Sequence, residues 1–146
     1  MIPISYPDPA FQIKKENSND MIFDGLRKKW LLLTKEEWVR QNFLQYLIRV
    51  KEYPPTLIAL EKKIRLGELV KRFDILIYDT HHQPWMMVEC KAAEIRLNED
   101  VLNQVLRYNI AIPVPYLVIT NGDTCYAYSR SSGLLTDLHE LPSFPK

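Results

Sequence analysis

A strand, a helix and a second strand follow one another in the second half of the chain. Residues 85–91 form a mostly apolar run, and Asn98 can cap a helix that continues to about Ala111. A second apolar run occupies residues 116–120. A connection of this length allows a right-handed crossover between two parallel strands. The pattern therefore predicts an α/β fold.

Further strands extend the sheet on both sides of this crossover. Residues 73–78 are strongly apolar and are expected to pair as a hairpin with residues 85–91. The Asn-Gly pair at 121–122 is the strongest short hairpin signal, and it predicts a returning strand at 124–129. Residues 56–66 form a mixed strand. We expect a mixed sheet flanked by helices.

The first half of the chain contributes a helix and a hairpin. Thr34 and Glu37 match a capping box, in which each side chain bonds to the backbone N–H of the other residue. The helix ends before Pro54, and its apolar residues form one stripe of Val39, Phe43, Leu47 and Val50. Residues 11–15 and 21–23 are expected to form a hairpin.

The composition suits a globular protein of one domain. The chain has 146 residues, of which 47% are apolar and 25% are charged. These values exclude a disordered tail protein, a collagen-like rod and a coiled coil. Five of the ten prolines lie at the two ends of the chain, which predicts extended segments at about 1–10 and 138–146. We expect a single domain over residues 1–146.

The charge balance limits the partners of the protein. The net charge is +1, so a nucleic acid would have to be held by a local basic patch. Two cysteines do not make a disulfide framework, and the three histidines form no zinc spacing with them. No apolar run approaches 18 residues, and the N-terminus lacks the features of a signal peptide. A cytoplasmic location is expected.

Acidic residues interrupt two of the apolar strands. Asp74 lies in one strand, and Glu89-Cys90-Lys91 ends the next. Residues i and i+2 of a strand share a face, so Glu89 and Lys91 point the same way and Cys90 points the other way. The two carboxylates and a strand carbonyl would suit Mg²⁺, and Lys91 could hold or help deprotonate an attacking water. The alternative is a buried ion pair of Lys91 with Asp74 or Glu89 that only fixes the register of the sheet.

The spacing of these residues resembles the motif of the PD-(D/E)XK nuclease superfamily. Fourteen residues separate Asp74 from Glu89, and Phe73 stands where the superfamily name has a proline. More closely, the chain from about Asp24 to Tyr128 resembles the N-terminal domain of type I restriction enzyme R subunits. The segments that carry this resemblance are 27–30, 34–41, 71–74, 88–91, 104–108 and 120–122.

The resemblance implies a restriction-endonuclease-like αβββαβ core, Mg²⁺ with Mn²⁺ as a substitute, and DNA as the substrate. It places Asp74, Glu89 and the Cys90 carbonyl at the metal, with Lys91 as the catalytic lysine. No P-loop is present in the sequence, so the resemblance extends to the nuclease module and not to an ATP-driven motor.

Two helices are expected to add side chains to this site. Gln104 and Tyr108 are four residues apart and match a Gln-x-x-x-Tyr motif of one branch of the superfamily, where such residues orient DNA or the lysine. The alternative for this pair is an ordinary amphipathic helix. A glutamate on the first helix often completes the metal site in the superfamily, and Glu36 is preferred here because Glu37 has the capping role. The alternative for Glu36 is an acid favoured by the helix dipole.

Basic residues near the turn at Gly67 are the expected DNA contacts. With Arg107 they are Lys62, Lys63, Arg65, Lys71 and Arg72. The alternative is a solvated hairpin rim.

The sequence therefore predicts a Mg²⁺-dependent DNA endonuclease or nuclease module with a role in restriction-modification. The rival hypothesis is a non-catalytic DNA- or protein-binding module. Cutting both strands of a duplex would require a homodimer or a separate motor or specificity partner.

Overall fold

A computed structural model describes residues 1–145, without the side chain of Leu66. Two α-helices and nine strands are found in this part of the chain. In chain order they are β1 (Ile13–Glu16), β2 (Asn19–Asp24), β3 (Lys29–Leu32), α1 (Lys35–Gln45), β4 (Ile58–Leu66), β5 (Leu69–Tyr78), β6 (Pro84–Cys90), α2 (Glu99–Asn109), β7 (Tyr116–Thr120), β8 (Cys125–Ser131) and β9 (Leu134–Leu138).

The centre of the fold is a six-stranded mixed sheet in the order β4-β5-β6-β7-β8-β9. Strands β6 and β7 are parallel, with Val88 opposite Val118, and the other neighbours are antiparallel. Helix α2 forms the crossover between the two parallel strands, as the sequence predicts. The protein is therefore an α/β protein with a mixed sheet.

The two helices cover opposite faces of this sheet. Val39 and Phe43 of α1 belong to a buried cluster with Val88 and other residues of the strands. Val105 of α2 belongs to a second buried cluster, which contains Met87 of the same strand. Successive residues of a strand point to opposite faces, so β6 contributes Met87 to one layer and Val88 to the other.

Helix α1 begins as the sequence predicts but ends differently. The Thr34 hydroxyl accepts a hydrogen bond of 3.0 Å from the Glu37 N–H. After Gln45 the chain forms a π-helical turn, Tyr46–Val50, which is wider than an α-helical turn. This change of period moves Val50 out of the apolar stripe, and its side chain is exposed. The expectation that Val50 continues the stripe is therefore wrong.

A smaller antiparallel sheet of β1, β2 and β3 precedes α1. The predicted N-terminal hairpin is present, with Ile13 opposite Ile22. Sequence reasoning missed β3, which begins at Lys29, the last residue of the Arg27-Lys28-Lys29 charge run, and it missed β9 at the far edge of the large sheet. Both strands carry few buried side chains and so give little apolar pattern.

Both ends of the chain lie on the body of the protein. Ile2 is buried, and its N–H donates to the Cys125 carbonyl. At the other end Leu141 is buried, and the Tyr53 hydroxyl donates to the Pro142 carbonyl. Residues 1–12 and 141–145 contain no helix or strand, whereas Leu138, at the start of the expected C-terminal extension, ends β9; Lys146 lies outside the described residues.

Neither of the two helices combines the length and the apolar character needed to cross a membrane, as far as residues 1–145 are concerned.

Candidate active site

The hairpin of β5 and β6 brings the predicted acidic residues together. Its register runs to Ile75 opposite Val88, so Asp74 comes next to the end of β6. The Asp74 carboxylate (Oδ2) accepts a hydrogen bond of 2.7 Å from the Cys90 N–H. This bond fixes Asp74 beside Glu89, one residue before Cys90.

The regular alternation of side chains along β5 is interrupted at Asp74. Phe73 packs in the α2 layer, whereas Ile75 packs in the α1 layer. The ladder between β4 and β5 skips Asp74 and its neighbour Glu61, which has a φ of 52°. A left-handed residue in a strand marks a local kink. The kink turns Asp74 out of the regular alternation and towards the end of β6.

The surroundings of Asp74 favour its protonated form. Burial raises the pKa of this carboxyl to about 6. The carboxylates of Glu89 and Glu36 add to the rise, whereas the hydrogen bond from Cys90 and the charge of Arg40 oppose it. The negative charge around Asp74 is thus only partly compensated. A bound divalent cation would compensate the rest.

Arg40 of α1 connects Asp74 to a network of buried charges. Its guanidinium lies 2.8 Å from Glu37, 3.2 Å from Glu61 and 3.6 Å from Asp74. Arg27 extends the network, at 3.2 Å from Glu61 and 3.8 Å from Glu37. Arg40 and Glu37 are both almost fully buried, so this side of the site is held by fixed, multiple contacts.

The two glutamates at the start of α1 differ in their roles. The Glu37 carboxylate accepts bonds from Arg40 and Gln41, so it belongs to the charge network and does not complete the capping box. Glu36 is exposed, yet it lies close enough to Asp74 to raise the pKa of that residue. Its role as a metal ligand stays a prediction.

A pocket of about 360 Å³ opens on the α2 side of the sheet. Four residues predicted to be catalytic line it, and they are Glu89, Lys91, Gln104 and Tyr108. The side chains of Gln104 and Tyr108 point from one face of α2, as their spacing of four residues predicts. Glu89 and Lys91 of the strand motif therefore meet the helix motif in one pocket, whereas Asp74 does not line it.

Lys71 is the unexpected member of this pocket. Its ammonium lies 2.6 Å from the Glu89 carboxylate and 4.6 Å from the centre of the Tyr108 ring. The alternative considered from the sequence paired Lys91 with an acid, but within residues 1–145 no carboxylate lies within 4.0 Å of Lys91. A signal was present in the sequence, because Lys71 is two residues before the apolar Phe73 and shares its face of β5.

The predicted basic cluster divides into two groups. Lys71 is buried in the pocket, in contrast to the solvated hairpin rim that is the alternative for this cluster. The exposed group consists of Lys62, Lys63, Arg65, Arg72 and Arg107. Arg72 lies 3.2 Å from Glu61, which compensates part of its charge. DNA contact by any of these residues stays a prediction.

The oxygen atoms near Asp74 fit a hard divalent cation by their chemistry. No group of three His, Cys, Asp or Glu side chains in residues 1–145 is arranged as a complete metal site. Asp74 and Glu89 nevertheless supply two carboxylates next to the backbone of Cys90, and Mg²⁺ needs only one or two carboxylates because it retains several waters. The thiol of Cys90 is buried, and burial raises its pKa, so it is not a thiolate ligand.

Comparison with protein families identifies the class of this α/β protein. Residues 35–145, more than half of the chain, match the family described as type I restriction enzyme R protein N terminus. The chain therefore belongs to this family. No curated protein matches the chain. Membership of this family indicates a role related to restriction. It also indicates an interaction with DNA and a complex of several subunits.

Proposed function

We propose that this protein is a Mg²⁺-dependent DNA nuclease module with a restriction-endonuclease-like PD-(D/E)XK core. The observation that carries the proposal is the contact between Asp74 and the Glu89-Cys90-Lys91 segment, made by the hydrogen bond of 2.7 Å to the Cys90 N–H. Family membership adds to it, since restriction enzymes act on DNA. The order α1, β4, β5, β6, α2, β7 is also the αβββαβ order of such a core.

Each residue of the site has a separate task in this proposal. Asp74, Glu89 and the Cys90 carbonyl would hold Mg²⁺, with Glu36 at the edge of the site. The bound ion would polarise the phosphodiester and stabilise its developing charge. Lys91 lines the same pocket as Glu89 and has no carboxylate within 4.0 Å in the described part of the chain, so its ammonium is available to orient a water or bind a phosphate oxygen.

The α2 side of the pocket would position the DNA. Gln104 can donate to and accept from a sugar-phosphate backbone, and the exposed ring of Tyr108 can pack against a sugar or base. The exposed lysines and arginines around the turn at Gly67, together with Arg107, would contact neighbouring phosphates. Cleavage of both strands would require a second copy or a motor or specificity partner.

A non-catalytic binding module is the second candidate. One observation favours it, since the ammonium of Lys71 compensates the charge of Glu89. A carboxylate that is already paired can serve only to stabilise the sheet. Metal binding and cleavage distinguish the two candidates.

The test compares wild type with Lys91→Ala and Glu89→Ala in plasmid nicking and in Mg²⁺ titration calorimetry. We expect Lys91→Ala to keep metal binding and to lose cleavage by a factor of ~100 or more, the scale for one preorganised charged group. Glu89→Ala should lose metal binding and cleavage together. Equal cleavage by wild type and Lys91→Ala would refute the role of Lys91. If wild type shows no metal-dependent cleavage, the binding module is favoured.

A further inference from the structure

We propose that Lys71 competes with the metal ion for Glu89, so that its ammonium must leave this carboxylate before a divalent cation binds. This role rests on the proposed metal-dependent function. It makes Lys71 a positioning residue that acts through Glu89, and it assigns to the pocket a second lysine whose task differs from that of Lys91.

Lys71 and Glu89 are in direct contact in a largely buried position. The Lys71 ammonium lies 2.6 Å from Oε1 of Glu89, with the two side chains only 8% and 16% exposed. A charge-assisted bond of this length occupies the oxygen, and a second cation at the same oxygen would be repelled by the ammonium. In this arrangement Oε1 of Glu89 is therefore not free to receive a metal ion, and the ammonium beside it also repels a cation at Oε2.

The two lysines of the pocket differ in their contacts with Glu89. Lys71 and Lys91 both line it together with Glu89, but only Lys71 contacts that carboxylate. Removing either residue takes one positive charge from the same pocket. Only the removal of Lys71 also frees the carboxylate, so the two variants separate direct competition from general electrostatics.

The pocket also offers Lys71 other partners. Its ammonium already lies 4.6 Å from the centre of the Tyr108 ring, which is an attractive cation–π distance. Asn109 lines the same pocket, and its Oδ1 is a buried acceptor without a hydrogen-bond donor among the described residues. A lysine has a flexible stem of four carbons, so its ammonium can move towards these groups. Because Tyr108 is exposed, an ammonium that moves over its ring also comes closer to the proposed DNA phosphates.

A purely structural ion pair makes the opposite prediction. If Lys71 only held Glu89 in place for the metal ion, its removal would loosen the carboxylate and weaken metal binding. If it competes with the metal ion, its removal strengthens binding. The sign of the change in metal affinity therefore decides between the two roles, and it does not depend on any cleavage assay.

The experiment is titration calorimetry of Mg²⁺ alone and Mn²⁺ alone, without DNA, at one fixed pH. Wild type is compared with Lys71→Met, with the matched variant Lys91→Met and with Glu89→Gln. We expect Lys71→Met to bind the ions about tenfold more tightly, which corresponds to about 1.4 kcal/mol. Lys91→Met should gain about threefold at most, from the loss of one charge in the pocket. Glu89→Gln should bind weakly or not at all.

Each outcome decides the proposal. Binding by Lys71→Met that is unchanged, weaker or equal to that of Lys91→Met overturns the competition, and the metal-dependent function stands if wild type binds the ions through Glu89. Binding by Lys71→Met alone supports the competition in its strongest form. Absence of binding in both wild type and Lys71→Met overturns the competition and the metal site together. If Lys71→Met does not fold, Lys71→Gln keeps a donor to Glu89 without the charge, and the same gain is expected.

Discussion

The two faces of the sheet hold their carboxylates in different ways. On the α1 face, Glu37 receives two bonds from Arg40 and one from Gln41, and Arg40 also reaches Glu61 and Asp74. In the α2 pocket, the charged contact of Glu89 is a single bond from Lys71. Arginines thus organise one face, and lysines line the other.

This difference separates a fixed region from an adjustable one. A guanidinium is planar and forms several bonds in a set geometry, whereas an ammonium on a flexible stem forms contacts that are easily exchanged. Asp74 contacts both regions, through Arg40 on one side and the end of β6 on the other. We infer that the α1 face sets the position of Asp74 and that the α2 pocket can rearrange around ligands.

The largest expected effect is the loss of an arginine from the fixed region. Arg40→Met leaves Glu37 buried without its main partner, and breaking a buried pair in this way costs about 3–5 kcal/mol of unfolding free energy. Urea denaturation with a chelator present measures this change. The matched variant Lys71→Met should cost less than half as much, because Glu89 is the more exposed carboxylate. Equal losses in the two variants would contradict the division into a fixed and an adjustable region.

A smaller effect is expected from Asp74 and depends on pH. The pKa of this residue is about 6 in the folded protein and 3.8 ordinarily, so the folded state binds the proton more tightly. The resulting stability is present below about pH 4 and is lost as the pH rises through 6. Asp74→Asn carries no charge at any pH, so at pH 8 it should be about 2–3 kcal/mol more stable than the metal-free wild type.

Urea denaturation between pH 4 and 8 in the presence of a chelator tests this prediction. The difference between Asp74→Asn and wild type should grow with pH, and Mg²⁺ should stabilise wild type alone. The exposed Asp137→Asn is the matched control and should follow wild type. If Asp74→Asn is strongly destabilised at pH 8, Asp74 serves as the partner of Arg40 in a structural ion pair instead.

The smallest effect is expected at the exposed rim. Within residues 1–145, Lys62 and Lys63 have no acidic partner within 4.0 Å, whereas Arg72 pairs with Glu61. The double change Lys62→Ala and Lys63→Ala should weaken DNA binding only severalfold and lower its dependence on log salt by up to about 2. Fluorescence anisotropy in Ca²⁺ over a range of salt concentrations measures both quantities. Arg72→Ala should change the salt dependence less, and binding that ignores salt would exclude phosphate contacts.

Local patterns in the sequence predicted much of the fold. The Thr34 cap, the crossover through α2 and the turn at Asn121-Gly122 each depend on residues close together in the chain, and each is present in the structure. The edge strands β3 and β9 were missed because their side chains are mostly exposed and carry no alternating apolar pattern. The wider π-helical turn after Gln45, which exposes Val50, likewise has no local signal.

The candidate site was less predictable because it depends on contacts between distant residues. The spacing of Asp74 and Glu89 indicated that the two acids meet, since a hairpin joins their strands. The pairing of Lys71 with Glu89 crosses 18 residues, and the link from Arg40 to Asp74 depends on how α1 sits on the sheet. The capping pattern favoured Glu36 over Glu37 as a site residue, but Glu37 is the buried glutamate, and its carboxylate pairs with Arg40.

The charge network around Arg40 also limits how far this module could be transplanted. The family match begins at residue 35, but Arg27 lies before that boundary and contacts both Glu37 and Glu61. Asp24 in turn fixes Arg27 through its carboxylate. A chimaera that inherits only residues 35–145 would carry the complete motif but would leave Glu37 without its second cation, whereas Glu61 would keep Arg40 and Arg72. The segment that matches the family therefore differs from the segment that contains the whole charge network, since the network also includes Asp24 and Arg27.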